Sequence, residues 1–212
     1  MQKGLSWVNL LLITVFVVSL AIILFELTLT RIFSIILWYD YAFMAISVAF
    51  FGLGIGAFVV YIFKTRKKAP KEMQEKGEKY KEKFLSLQIY QSSLAFAVSL
   101  PIFLLIVGYL IPPNTSYVYL FYIASSIPFF FAGISLALMY MALPKEISKL
   151  YFIDLVGAAL ATLLLDPLMQ QLGAESTLLL LSVIISGPLF ITALFHLIPS
   201  IRNKEQPMYQ RD

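Results

Sequence analysis

Residues 41–84 read YAFMAISVAFFGLGIGAFVVYIFKTRKKAPKEMQEKGEKYKEKF, and this stretch decides the fold. From Tyr41 to Phe63 it carries no charge, whereas nine of the chain's 16 Lys and Arg residues fall between Lys64 and Lys83. A bilayer core of about 30 Å is crossed by about 20 helical residues rising roughly 1.5 Å each. The first part is therefore long enough to span. The second is the kind of basic block that is held on the cytoplasmic side of a membrane.

The rest of the chain agrees with this reading. Of its 212 residues 60% are hydrophobic and 13% charged, too few polar side chains to cover a soluble domain. The net charge of +4 comes from the basic block, and the remainder is close to neutral. That excess is topological in origin, so no nucleic-acid partner is expected. Cysteine is absent, which excludes disulfides, Cys-based zinc sites, covalent c-type haem and a lipidated N-terminal Cys. Lys3 followed by an apolar run resembles a signal peptide, but no small-x-small cleavage pattern precedes Glu26, so the run is read as a retained first span.

The expected fold is all-α: a polytopic bundle of six transmembrane helices in a single membrane domain over residues 1–212. The spans fall at about 5–25, 41–63, 84–111, 117–143, 150–165 and 177–198. Consecutive prolines Pro112 and Pro113 close the third, Pro144 the fourth, Asp166 and Pro167 the fifth and Pro199 the sixth. With six spans, Lys3, the basic block, Lys145, Lys149, Arg202, Lys204 and Arg211 share one side, leaving only Arg31 near the other. Both termini are then cytoplasmic.

Residues 64–83 form a basic loop or stalk. Glu72 with Lys76 and Glu75 with Lys79 stand at i,i+4, pairs that stabilise an isolated helix by roughly 0.2–0.5 kcal/mol each. Span three is thus expected to extend into the cytoplasm, with Met73, Tyr80 and Phe84 on one face. That segment is either a topogenic loop touching anionic lipid or the docking face for a protein partner. Small residues recur elsewhere: Ala42, Ala45, Ala49, Gly52 and Gly56 in span two, Gly157 and Ala161 in span five. Such stripes let helices approach closely. The GxGxG string within FGLGIGAF is no nucleotide loop, because it lies inside an apolar span.

The ionisable groups are few. From an interfacial Trp7, nineteen helical residues rise about 28 Å, which places Glu26 near the outer boundary. Glu26 and Arg31 are offset by about 140° on a straight helix and cannot pair well. Arg31 is expected to meet Asp40, Asp166 or Glu175, giving an outer polar pocket that is either functional or an anchor. Residues 32–38, apolar again, are expected to lie along the interface or fold back. Asp154, about one turn into span five, needs a partner, since exposing a carboxylate to lipid costs several kcal/mol. An ion pair with Lys149 or Lys145 or a proton relay would supply one. Asn9, Gln88 and Gln91 are further groups that could bridge helices. His196 is the sole histidine, and no second His or Cys joins it, so no haem, metal or other cofactor is expected. Pro101, Pro128 and Pro188 fall inside spans, where kinks are tolerated.

FELTLTRIFSIILWYDYAFMAISVAFFGLGIGAF and SIPFFFAGISLALMYMALPKEISKLYFIDLVGAALATLLLDPLMQQLG resemble the membrane domain of the membrane-fused spermidine synthase-like proteins of bacteria and archaea. In that family an acidic residue and an Arg close the first span, a PFFF-like motif occupies the fourth, and Tyr-x-x-Asp-x-x-Gly-Ala opens the next. Here these are Glu26 and Arg31, Pro128 to Phe131, and Tyr151, Asp154, Gly157 and Ala158. Longer family members continue into a soluble Rossmann-like aminopropyltransferase domain. Fourteen residues follow Ile198, so that domain is expected to be absent and its activity is not carried over. The chain is then a stand-alone version, a fragment or one subunit of a complex.

The resulting functional expectation is a non-enzymatic scaffold or complex subunit of a bacterial or archaeal plasma membrane. Its partners would be lipids and a protein, either a soluble cytoplasmic enzyme or other membrane subunits. The alternative is a small-molecule transporter or binder using the outer pocket around Glu26 and Arg31. An integral-membrane enzyme fits less well, for want of a clustered nucleophile constellation.

Overall fold

The structure is a computed structural model that describes residues 2–37, 41–66, 78–111 and 117–202, with side chains outside the description at 2–7, 64–66, 78–83 and 188–202. Among these residues there is no strand. The helices are α1 (Gln2–Ile36), α2 (Met44–Arg66), α3 (Glu78–Leu105), α4 (Val118–Ala142) and α5 (Ile147–Arg202). Five helices are long and apolar enough to cross a membrane, as a multi-pass membrane protein requires.

α1 differs from the expected first span. It does not stop near Phe25 or lie along an interface after Arg31, but continues unbroken for 35 residues. No proline interrupts residues 2–36. Three hydroxyls within it bond back to their own helix: Thr14 to the Leu10 carbonyl at 2.9 Å, Thr30 to Leu27 at 2.7 Å and Ser34 to Arg31 at 2.8 Å. Side chains on both sides of Glu26 are buried, Val15, Ala21, Phe25, Leu29, Phe33 and Leu37 among them. Burial continuing past Arg31 is what keeps the helix going, because tertiary packing outweighs local polarity in deciding where helices end.

α5 also departs from expectation. Asp166 and Pro167 do not end it, and the backbone stays helical until Gly173, whose φ of 76° is the one non-helical setting within Ile147–Arg202. Proline is tolerated in membrane helices where neighbours re-satisfy the freed carbonyl. A left-handed φ favours glycine, which has no Cβ to clash. α3 contains Pro101 and then widens into a π turn, Ile106–Leu110, closed by the Ile111 N–H donating to the Ile106 carbonyl at 3.1 Å. Pro128 sits buried within α4.

Contacts fix the helix directions. Gly157 of α5 packs on α1 at Phe16 and Leu20, and further along both helices Arg31 meets Asp166, so these two segments run parallel. Met44, Gly52 and Gly56 of α2 meet Tyr122, Phe129 and Gly133 of α4 in the same order, a second parallel pair. α1 and α4 are antiparallel: the Phe25 ring lies 4.7 Å from Phe129, and Phe33 6.3 Å from Phe121. Phe25 also stands edge-on to Phe103 of α3 at 5.4 Å. α1 is thus the central element. α2 is peripheral, with Phe50, Phe51, Phe58, Tyr61 and Phe63 all more than half exposed, as suits a lipid-facing surface.

Candidate functional site: polar links between the spans

The α1–α5 seam depends on a missing side chain. A Cβ added to Gly157 would stand 2.7 Å from the Phe16 carbonyl oxygen and 3.3 Å from the Leu20 nitrogen, so only glycine allows this backbone approach. Ala161, one turn on, is fully buried. The closeness brings Asp154, three residues before Gly157, up to α1, where its Oδ1 accepts the Ser19 hydroxyl. Its Oδ2 accepts the Tyr140 hydroxyl of α4 at 3.0 Å. One carboxylate therefore ties three helices. Among the described residues no lysine pairs with it, and Lys149 pairs instead with Glu146 at 2.7 Å. The ion pair expected for Asp154 is replaced by two hydroxyl donors, which satisfy a charge without desolvating a second one.

At the other end of the seam Arg31 donates to Asp166 at 2.9 Å, both side chains more than half exposed. Of the three carboxylates considered for Arg31, Asp166 is the partner. Glu175 is exposed, and Asp40 lies outside the described residues. Lys149 and Asp166 are 17 residues apart on α5, about 25 Å. The two exposed ion pairs thus bracket a belt close to the thickness of a bilayer core.

Glu26 lies inside that belt. It is five residues, about 7.5 Å, from the level of Arg31, and it is half-buried. Among the described residues no ion pair or hydrogen bond holds it. Glu26 and Arg31 form no ion pair with each other among the described residues, as their angular offset on one helix requires. Ser19, Glu26 and Phe33 are spaced seven apart and share one strip of α1, drifting only about 20° per step. At one end this strip meets Asp154 of α5, and at the other Phe33 meets Phe121 and Tyr122 of α4. α4 and α5 scarcely touch each other directly, and α3 packs against both.

The α2 small residues face α4. Ala45, Ala49, Gly52 and Gly56 are buried. Cβ atoms at Gly52, Gly56 or at Gly133 opposite would come closer than 3.0 Å to the facing backbone. A shallow apolar pocket of about 150 Å³ opens beside this seam, lined by Phe51, Gly52, Ile55, Ser126, Ile127 and Phe130.

Other polar groups stand differently from expectation. Asn9 and Gln91 are exposed, and the Gln88 Oε1 is buried without a partner among the described residues, as is the Thr28 Oγ1. The polar bridge from α3 is Ser93, 2.5 Å from Ser135 of α4. Met73 and the side chains of Tyr80 and His196 lie outside the description, while Phe84 is exposed. Reading the sequence missed Ser19, Tyr140 and the serine pair. The usable signal was position, since each is a hydroxyl within an apolar run, where a polar group seeks a partner on another helix. No three His, Cys, Asp or Glu side chains among the described residues converge as a metal site requires. No family model, curated protein or solved structure matches this chain.

Proposed function

We propose that the chain is a non-enzymatic membrane scaffold or subunit of a larger complex, related in its membrane domain to the spermidine synthase-like proteins that its motifs resemble. One observation carries this reading. The polar groups that the sequence offers for a reactive site are used to hold helices together: Asp154 by Ser19 and Tyr140, and Arg31 by Asp166. Groups fixed in this way position helices. Held in this way, Asp154 is not free to move a proton, nor Arg31 to capture a solute.

The scaffold sits in the plasma membrane of a bacterium or archaeon with six crossings and both termini in the cytoplasm. Two parallel helix pairs support alternating crossings, since helices one and five, and two and four, then run the same way. Gly173 is the point where the sixth crossing turns back. The basic segment at 64–83 faces the cytoplasm with Met73, Tyr80 and Phe84 as the face for a soluble enzyme, while other subunits join within the membrane.

Gentle purification from native membranes is the test. A stoichiometric protein partner is the expected result, whereas a bound small solute with no protein partner would overturn the reading in favour of transport. With no native cysteine, a single Lys145→Cys is expected to resist membrane-impermeant thiol reagents in intact cells and Tyr117→Cys to react. The opposite pattern would invert the topology.

A further inference from the structure

We infer that the chain is an inverted repeat of three helices, whose two copies exchange conformations so that the middle of the bundle opens alternately to the two faces of the membrane. The inference goes beyond the subunit reading and does not rest on it.

The sequence gives the first sign. VSLPIFLLIVGYLIP at 98–112 and ISGPLFITALFHLIP at 185–199 share the serine, proline and phenylalanine of S-x-P-x-F and the closing Leu-Ile-Pro, 87 positions apart. Similarity at a fixed offset marks a repeated unit. The first copy spans the end of α3 and its π turn, the second the part of α5 beyond Gly173.

Packing gives the second sign. Let α1, α2 and α3 correspond in order to α4, α5 before Gly173 and α5 beyond it. The parallel α1–α5 seam then requires the parallel α2–α4 seam as its counterpart, and both exist. Their registers agree. α1 and α4 meet at Phe25 and Phe129, 104 positions apart, and Gly157 faces residues 16–20 of α1. The corresponding 120–124 of α4 includes Tyr122, which meets Met44 of α2. Ala45 and Ala49 follow, buried and four apart like Gly157 and Ala161. Because α1 and α4 are antiparallel, the two copies are inverted across the membrane.

The copies differ in state. Residues 106–110 of the first form a π turn, whereas the equivalent 193–197 are α-helical. Exchanging the two windings gives a second arrangement built from the same kinds of contact and close in energy, which is how inverted repeats give alternating access. The moving parts are the two seams. Each is closed at backbone distance by glycine and moves as a unit, while between them α1 and α4 touch through rings, Phe25 on Phe129 and Phe33 on Phe121. α3 packs against both α4 and α5. It is also the helix that carries a proline and a π turn, the features at which helices bend.

Thr28 and Ala132 are counterparts, 104 positions apart and fully buried on opposite sides of the Phe25–Phe129 contact. In vesicles of both orientations, Thr28→Cys and Ala132→Cys are each expected to react with an impermeant thiol reagent from one face only, and from opposite faces. Both should react at least about tenfold faster than Ala161→Cys, buried inside the α1–α5 seam. Reaction no faster than at Ala161→Cys, or from the same face, overturns the inference. A second measurement needs no buried substitution. Spin labels on Ile35→Cys and Tyr119→Cys, both more than half exposed at one end of α1 and α4, should report two separations in lipid vesicles. A single narrow separation means one rigid state and overturns the inference equally. In that event a stoichiometric subunit from native membranes leaves the scaffold reading standing. Two states without any such subunit support a carrier in its place.

Discussion

Ser19 donates its hydroxyl to the Asp154 carboxylate 135 residues further along the chain, and Arg31 donates to Asp166 at the same separation of 135. The equal offsets show that α1 and the first half of α5 advance together, residue for residue, over a rise of about 18 Å. Between the two links lies Gly157, without which the axes could not come near enough for Ser19 to reach.

Gly157→Ala is therefore expected to destabilise the bundle by about 1–3 kcal/mol, the usual range for overpacking a tight contact. Gly157→Leu should prevent the native seam from forming. Thermal unfolding of the detergent-solubilised protein checks both, and unchanged melting of Gly157→Leu would show that the seam is looser than described.

The Asp154 links are separable by a double-mutant cycle. Tyr140→Phe and Asp154→Asn should each destabilise, with a coupling between them of about 0.6 kcal/mol and at most about 1.7 kcal/mol, as for interhelical hydrogen bonds in other membrane bundles. Zero coupling in the cycle would place the Tyr140 hydroxyl elsewhere.

On the α2–α4 seam, neighbouring glycines should behave oppositely. Gly56→Leu and Gly133→Leu meet facing backbone and are expected to unfold the pair or its assembly, whereas nothing lies within 4 Å of a Cβ at Gly54, so Gly54→Leu should be tolerated. Melting curves and gel filtration of the three variants decide it. Equal tolerance would turn the stripe toward lipid.

Arg31 and Asp166 should matter less than their geometry suggests. Both are more than half exposed, so Asp166→Asn is expected to cost under about 1 kcal/mol, with the loss shrinking as salt is raised. A larger, salt-independent loss in chemical denaturation would mean that the pair is shielded by lipid or protein.

The helices themselves were legible in the sequence, because an uncharged run such as 41–63 has few alternatives in water or lipid. The ends of α1 and of the first half of α5 were not. Glu26, Arg31, Asp166 and Pro167 all look like stop signals locally, yet Arg31 and Asp166 satisfy each other across 135 residues, and no local pattern encodes such a partner. The same limit hid Ser19 and Tyr140. A hydroxyl is too common in apolar helices to mark a site until its acceptor is seen. Gly157 could be read as a packing residue from its spacing, but which helix it packs against is a property of the assembled bundle.

The long separation of the α1–α5 links has a consequence for biosynthesis. At roughly 5–20 residues per second, α1 waits roughly 7–27 s in the membrane between its own emergence and that of the segment bearing Asp154 and Asp166. During that interval Arg31 and Ser19 have none of their native cross-helix partners, and α1 is held only by its hydrophobicity and by the ring contacts of Phe25 and Phe33 as α3 and α4 arrive. The polar locks on α1 thus close late, only when the segment bearing Asp154 and Asp166 arrives.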